Sequence, residues 1–207
     1  MITLIDYGLG NIKAFANLYN RLNIPITIAS SPEAILEAKR LILPGVGAFD
    51  EAMTLLNQSG LTAVLTEKVI HQKTPILGIC VGMQMLANSS EEGTLPGLGW
   101  IPGIVKKFDP STIPYITKLP HMGWNTVAAR PASPLFAGID QNGRFYFLHS
   151  YYYECIDSHF ILSTTEYGSI FTSAVQNNHI LGVQFHPEKS HNNGVQLLKN
   201  FALTHIN

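Results

Sequence analysis

Between Ile2 and Ile79, short apolar runs alternate with segments whose apolar residues recur at helical spacing. Ile2 to Asp6 reads as a strand, Ile12 to Leu22 as a helix, Ile24 to Ala29 as a strand, and Pro32 to Ala38 as a short helix opened by Ser31. Arg40 to Leu43 is the next strand. Helical spacing returns at Phe49 to Leu56 and Leu61 to His71, before the apolar run Pro75 to Ile79 and a helical segment from Met83 to Ala87. Strands joined by such short helical connections pair in parallel through right-handed crossovers. This first half therefore predicts an α/β fold, a doubly wound, mostly parallel sheet flanked by helices.

From about Gly93 glycine, proline and aromatic residues dominate. Gly103 to Phe108, Trp124 to Ala128, Arg144 to Glu154, Ile161 to Glu166 and Phe171 to Val175 read as strands of a smaller antiparallel layer. Asn177-Asn178 turns the last hairpin into Ile180 to Phe185, and Val195 to Leu203 closes the chain as an amphipathic helix. With no internal repeat or linker in its 207 residues, the chain is expected to form one domain spanning 1–207.

Only 13% of the residues are charged, against roughly 25% in ordinary domains, which leaves surface for a protein partner. The formal net charge of -1 offers no basic footprint for nucleic acid. No apolar run approaches membrane-spanning length and the start of the chain has no leader pattern, so a cytoplasmic location is expected. The two cysteines, Cys80 and Cys155, do not form a disulfide framework, and the eight histidines show no metal-site spacing. No metal or cofactor is expected.

Cys80 stands where an apolar run meets helical spacing, with Gly78 and Gly82 two positions to either side. Strand, sharp turn and helix would hold the thiol above a sheet edge and next to unpaired N–H groups that favour a thiolate. Taken alone, Cys80 reads better as one more small buried residue. Far downstream, His186-Pro187-Glu188 follows the strand ending at Phe185. Extended backbone at His186, enforced by Pro187, would point His186 and Glu188 the same way, so that the carboxylate orients the imidazole. Cys80, His186 and Glu188 together supply a nucleophile, a base and an orienting group.

Two glycine-bearing loops follow early strands. Tyr7-Gly-Leu-Gly-Asn11 begins like a dinucleotide fingerprint, but Lys13 replaces its third glycine. Pro44-Gly-Val-Gly47 should emerge beside Cys80. Either it is a tight turn, or it presents N–H groups near Val46 and Gly47 to an oxyanion, with Val81 as companion donor.

Pro44-Gly-Val-Gly47, Gly78-Ile-Cys-Val-Gly-Met-Gln84, Pro120-His-Met-Gly-Trp-Asn125 and Gln184-Phe-His-Pro-Glu-Lys-Ser190 together resemble the class I (triad) glutamine amidotransferases, more narrowly the glutaminase subunits of imidazole glycerol phosphate synthase. The likeness runs from Asp6 nearly to the end of the chain. It implies that Cys80 attacks L-glutamine while Gln84, Glu92, Ser150 and Tyr151 grip the amino-acid end. Ser150 and Tyr151 read equally well as part of a half-buried strand. The resemblance also implies a separate (β/α)8-barrel cyclase as partner, in a heterodimer, met by Asn11, Trp124, Tyr146 and Lys189. Trp124 and Tyr146 would serve as core aromatics too.

The segments Phe171 to Val175 and His191 to Gly194 are reminiscent of paralogous glutaminases that supply ammonia for amidating surface-polysaccharide sugars. A stand-alone cysteine hydrolase of γ-glutamyl bonds would share the sheet and the elbow. It would work at full rate alone, whereas a barrel-coupled glutaminase would be stimulated by its partner.

Overall fold

The computed structural model describes residues 1–204. The first half comprises β1 (Ile2–Ile5), α1 (Ile12–Arg21), β2 (Ile26–Ala29), α2 (Pro32–Leu36), β3 (Leu41–Gly45), α3 (Phe49–Gln58), α4 (Thr62–Thr66), β4 (Ile76–Cys80) and α5 (Val81–Gln84). After it come the strands β5 (Ser89–Ser90), β6 (Gly103–Lys107), β7 (His121–Thr126), β8 (Ala128–Ala129) and β9 (Arg144–His149). The chain ends with β10 (Tyr151–Cys155), β11 (Ile161–Tyr167), β12 (Ser169–Asn177), β13 (Ile180–Val183) and α6 (His191–Leu203).

The large sheet runs β2-β1-β3-β4-β13-β12-β10-β6-β5, with β11 and β8 branching from β12. The strands from β2 to β13 in this order are parallel, and β12, β10 and β6 continue antiparallel. Parallel strands covered on both faces need unbroken apolar runs, and Ile2, Leu4, Ile5, Leu41, Ile42, Leu43, Ile76 and Leu77 are fully buried. Tyr19 of α1 donates to Leu198 O of α6 at 3.1 Å, which ties these two helices to each other, while α2 meets α4. Ser31 caps α2 by accepting from Ala34 N, as its sequence position predicts.

The strands of the parallel half match expectation, but four other elements differ. Arg144 to Glu154 is not one strand. It breaks at Ser150, so that β9 pairs with β7 in a separate two-stranded sheet and β10 joins the large one. A side chain makes the break: His149 Nδ1 bonds Tyr151 O at 2.7 Å and closes a local turn where neither glycine nor proline marks one. The strand expected from Trp124 begins earlier, at His121, because β9 offers a partner along that length.

The helix expected over Met83 to Ala87 is instead the single turn Val81–Gln84. After Gln84 the chain tightens, with Leu86 N and Ala87 N bonding the carbonyls of Met83 and Gln84 in three-residue turns, and the carbonyls of Met85, Leu86 and Ala87 accept from Leu98, Ile101 and Gly99. The helix expected to reach His71 passes into a π-helical turn at Glu67–His71. Asn178 turns the hairpin between β12 and β13 at φ 52°.

Candidate active site

Register delivers three segments to one edge of the sheet. Gly45 of β3 pairs with Cys80 of β4, and Val183 of β13 pairs with Ile79. The chain leaving β3 therefore carries Val46 and Gly47, β4 ends at Cys80, and β13 leads to Gln184 and His186.

Cys80 has φ 56° and ψ -114°, a conformation that L-residues rarely adopt, and α5 begins at the next residue. Three glycines permit this turn. A Cβ on Gly78 would lie 2.5 Å from Gly82 O, one on Gly82 would lie 2.0 Å from Leu43 O, and one on Gly45 would lie 2.3 Å from Gly82 N. The turn is pressed against β3 at van der Waals limits, and the thiol is almost wholly buried.

His186 is extended, as its place before Pro187 predicts, but Glu188 is reached through a turn rather than an extended strand. Pro187–Lys189 is a 3-10 turn, held by Lys189 N and Ser190 Oγ donating to His186 O at 3.1 and 2.6 Å. The turn still brings His186 Nδ1 to 3.0 Å from Glu188 Oε1, with both side chains buried. Burial pushes the imidazole's pKa down, but hydrogen bonds with Cys80 and Glu188 outweigh it and raise it well above the ordinary histidine range. The arrangement can hold a proton on the imidazole beside the sulfur.

Gln184, fully buried, extends Nε2 to 3.8 Å from Cys80 Sγ and accepts from Gln84 Nε2 at 3.0 Å. Gln84 Nε2 also reaches Tyr151 O at 3.3 Å, so the amide nitrogen of Gln84 is bound into the wall.

A cleft of about 300 Å³ opens over the sulfur. Of the residues expected here, it is lined by Cys80, His186, Val46, Gly47, Val81, Gln84, Glu92, Ser150, Tyr151 and Lys189. Glu92 Oε2 accepts from Phe49 N at 2.9 Å, at the start of α3. Gly47 has φ 86°, and Val46 is exposed. A larger hollow of about 580 Å³, lined by Tyr115, Asn125 and Glu166, lies elsewhere and brings neither cysteine nor histidine.

The Tyr7–Asn11 loop packs against the loop that lines this site. Tyr7 donates its hydroxyl to Pro44 O at 2.8 Å, and a Cβ on Gly10 would meet Pro44 Cβ at 2.6 Å. His149 also lines the cleft, and its Nδ1 must carry a proton, because Tyr151 O only accepts. His149 Nε2 then accepts from His121 Nδ1 at 3.0 Å, and His121 Nε2 accepts from Asn125 Nδ2 at 3.2 Å. Burial pushes these two imidazoles down, to about 4 for His121 and about 3 for His149, where the neighbouring His121 adds to the effect.

Of the four residues expected at a partner surface, Asn11 is exposed and Trp124 is 37% exposed, while Tyr146 is half-buried. Trp124 pairs across the strands with Tyr146, and Met122 with Leu148, so that all four side chains share the outward face of the small sheet. Lys189 Nζ sits 5.8 Å from the Tyr146 ring centroid. Gln184, His121 and His149 carry no sequence signal of a role, although Gln184 and His121 stand inside quoted motifs. Asp50 was not recognised at all.

A nucleophile elbow, an imidazole between thiol and carboxylate, and a lined cleft at the carboxyl edge of a parallel sheet define a class. The chain belongs to the glutamine amidotransferase class-I family, whose model matches residues 3–205. It is 54% identical over 204 residues to the imidazole glycerol phosphate synthase subunit HisH of Bdellovibrio bacteriovorus, covering 98% of this chain and 99% of that relative. It is 50% identical over 201 residues to imidazole glycerol phosphate synthase subunit HisH 2 of Methanococcus maripaludis, covering 97% of this chain and 98% of that one. A crystal structure of a glutamine amidotransferase shares the fold with a TM-score of 0.73 at 18% identity, over 97% of this chain and 96% of that one.

Proposed function

We propose that this chain is the glutaminase subunit of an imidazole glycerol phosphate synthase, acting in the cytoplasm with a separate (β/α)8-barrel cyclase. The observation that carries the reading is the pairing of a strained, buried Cys80 with His186, itself 3.0 Å from Glu188. The full-length likeness to subunits of that synthase supports this acceptor over a surface sugar.

Cys80 attacks the carboxamide carbon of L-glutamine, and the C–N bond breaks as His186 gives its proton to the departing ammonia. A glutamyl thioester remains. His186 then takes a proton from water, the hydroxide adds to the thioester, and glutamate leaves with the thiol restored. Glu188 holds the imidazole in the required tautomer. Backbone N–H groups at Gly47 and Val81 stabilise the oxyanion, with Val46 shaping that loop. Gln84, Glu92, Ser150 and Tyr151 hold the amino-acid end of the substrate. Ammonia released into water would be protonated, so it passes directly to the cyclase, which docks on the face carrying Asn11, Trp124, Tyr146 and Lys189. Exposed Met122 and Leu148 on that face support an apolar contact.

The test is glutamate release from L-glutamine by the chain alone and with the cyclase loaded with its phosphoribosyl ligand. Strong stimulation, absent in Cys80→Ala, is expected. Full activity without any partner would overturn the coupled reading, and no stimulation by a verified cyclase would overturn the histidine-pathway acceptor.

A further inference from the structure

Two carboxylates cross between the helix that follows the Pro44–Gly47 loop and the loop that carries Glu92. Glu92 reaches from its loop to the helix and accepts from Phe49 N at 2.9 Å. Asp50, the next residue of that helix, reaches back. Its Oδ2 accepts from Thr94 N at 2.9 Å and from Thr94 Oγ1 at 3.3 Å, and its Oδ1 accepts from Leu95 N at 3.0 Å. The last backbone bond from this loop to β6 is Glu91 N to Val105 O at 2.8 Å, and past it Asp50 gives Thr94 N and Leu95 N the acceptors that strand pairing does not.

The fit is close. A Cβ on Gly93 would stand 1.9 Å from Asp50 Oδ1, so a side chain there would push the carboxylate off its donors. The Thr94 and Leu95 N–H groups hold the Asp50 carboxyl below the usual carboxylate range, so it stays an anion at neutral pH. Glu92 lines the cleft next to Cys80. With Oε2 turned to Phe49, its other oxygen is the one left for a cation in the cleft.

The geometry points to Asp50 as a positioning residue that acts through Glu92 on the α-ammonium of the substrate, making the site selective for an α-amino acid over the corresponding diacid. This rests on the assignment of Glu92 to the amino-acid end of glutamine. Asp50 itself does not line the cleft. Its effect is to fix the Glu92 carboxylate, and an acid that served only the start of α3 would have no such effect.

The experiment compares protection of the Cys80 thiol from iodoacetamide by L-glutamate and by glutarate, which lacks only the ammonium. It uses the full chain and needs no turnover. The wild-type chain is expected to be protected by L-glutamate at a concentration at least about tenfold lower than by glutarate, as one charge-assisted contact allows. Glu92→Gln should reduce that preference to about threefold or less. Asp50→Ala should do the same by weakening L-glutamate alone, with glutarate protection unchanged, and Asp50→Asn, which keeps the shape and an acceptor, should fall between. The double variant Asp50→Ala/Glu92→Gln should lose no more than Glu92→Gln does.

If Glu92→Gln loses the preference while both Asp50 variants keep it, or weaken both protectants equally, the role of Asp50 is overturned and that of Glu92 stands. If the wild type shows no preference, or Glu92→Gln keeps it, the assignment of Glu92 falls and the inference with it. Should Asp50→Ala fail to fold, Asp50→Asn against Glu92→Gln decides the matter by the same criteria.

Discussion

Gly45 and Cys80 are register partners on adjacent parallel strands, and a methyl group on Gly45 would come within 2.3 Å of the amide nitrogen of Gly82, two residues past the thiol. The obstruction is backbone, which cannot rotate away as a flexible side chain can. Gly45→Ala should therefore displace the elbow and cost about 3 kcal/mol in urea unfolding. Glutamate release should fall with it. A variant with wild-type stability would show that the turn has room to shift.

Cys80 itself carries strain at φ 56°. Cys80→Ala keeps a Cβ in that conformation and Cys80→Gly removes it, so the glycine variant should be the more stable of two inactive proteins, by about 1 kcal/mol in urea. Equal midpoints would mean that the elbow is not strained by its side chain.

Glu188 lies 3.0 Å from His186 and raises its proton affinity. Glu188→Gln keeps the shape and removes the charge. We expect kcat for glutamate release to fall by about 10²–10⁴-fold, with a smaller change in KM. A kcat within threefold of wild type would remove Glu188 from the proposed chemistry.

His121 and His149 are buried as neutral rings, pushed to about 4 and about 3. Below roughly pH 6.5 the unfolded chain binds protons at these sites that the folded chain refuses, so stability falls as pH drops from there toward 4. Each contributes a slope of up to about 1.4 kcal/mol per pH unit. His121→Gln should flatten the loss of stability between pH 6.5 and 5, measured by urea unfolding. An unchanged slope would place the acid sensitivity elsewhere.

The parallel half was legible because full burial leaves unbroken apolar runs with helical spacing between them, and Cys80, His186 and Glu188 were legible as residue types in a telling order. Two kinds of feature were not. The break at Ser150 is made by the His149 ring bonding Tyr151 O, and neither glycine nor proline there signals a turn. Asp50 looks like any acid in the first turn of a helix. Only the tertiary path of the loop at Gly93 to Leu95 gives it three donors. The length of α5 is not written locally either, since the residues after it tighten into three-residue turns and bond Leu98, Gly99 and Ile101 of a later loop.

The pairing of Ile180 with Ile76 has a consequence for synthesis of the protein. The thiol is translated early, yet the imidazole that would activate it follows a strand made only toward the end of the chain, and the two meet across a contact of very long sequence separation. A nascent or prematurely terminated polypeptide that stops short of β13 carries the sulfur without its proton acceptor. Such fragments would hold a cysteine with no imidazole beside it.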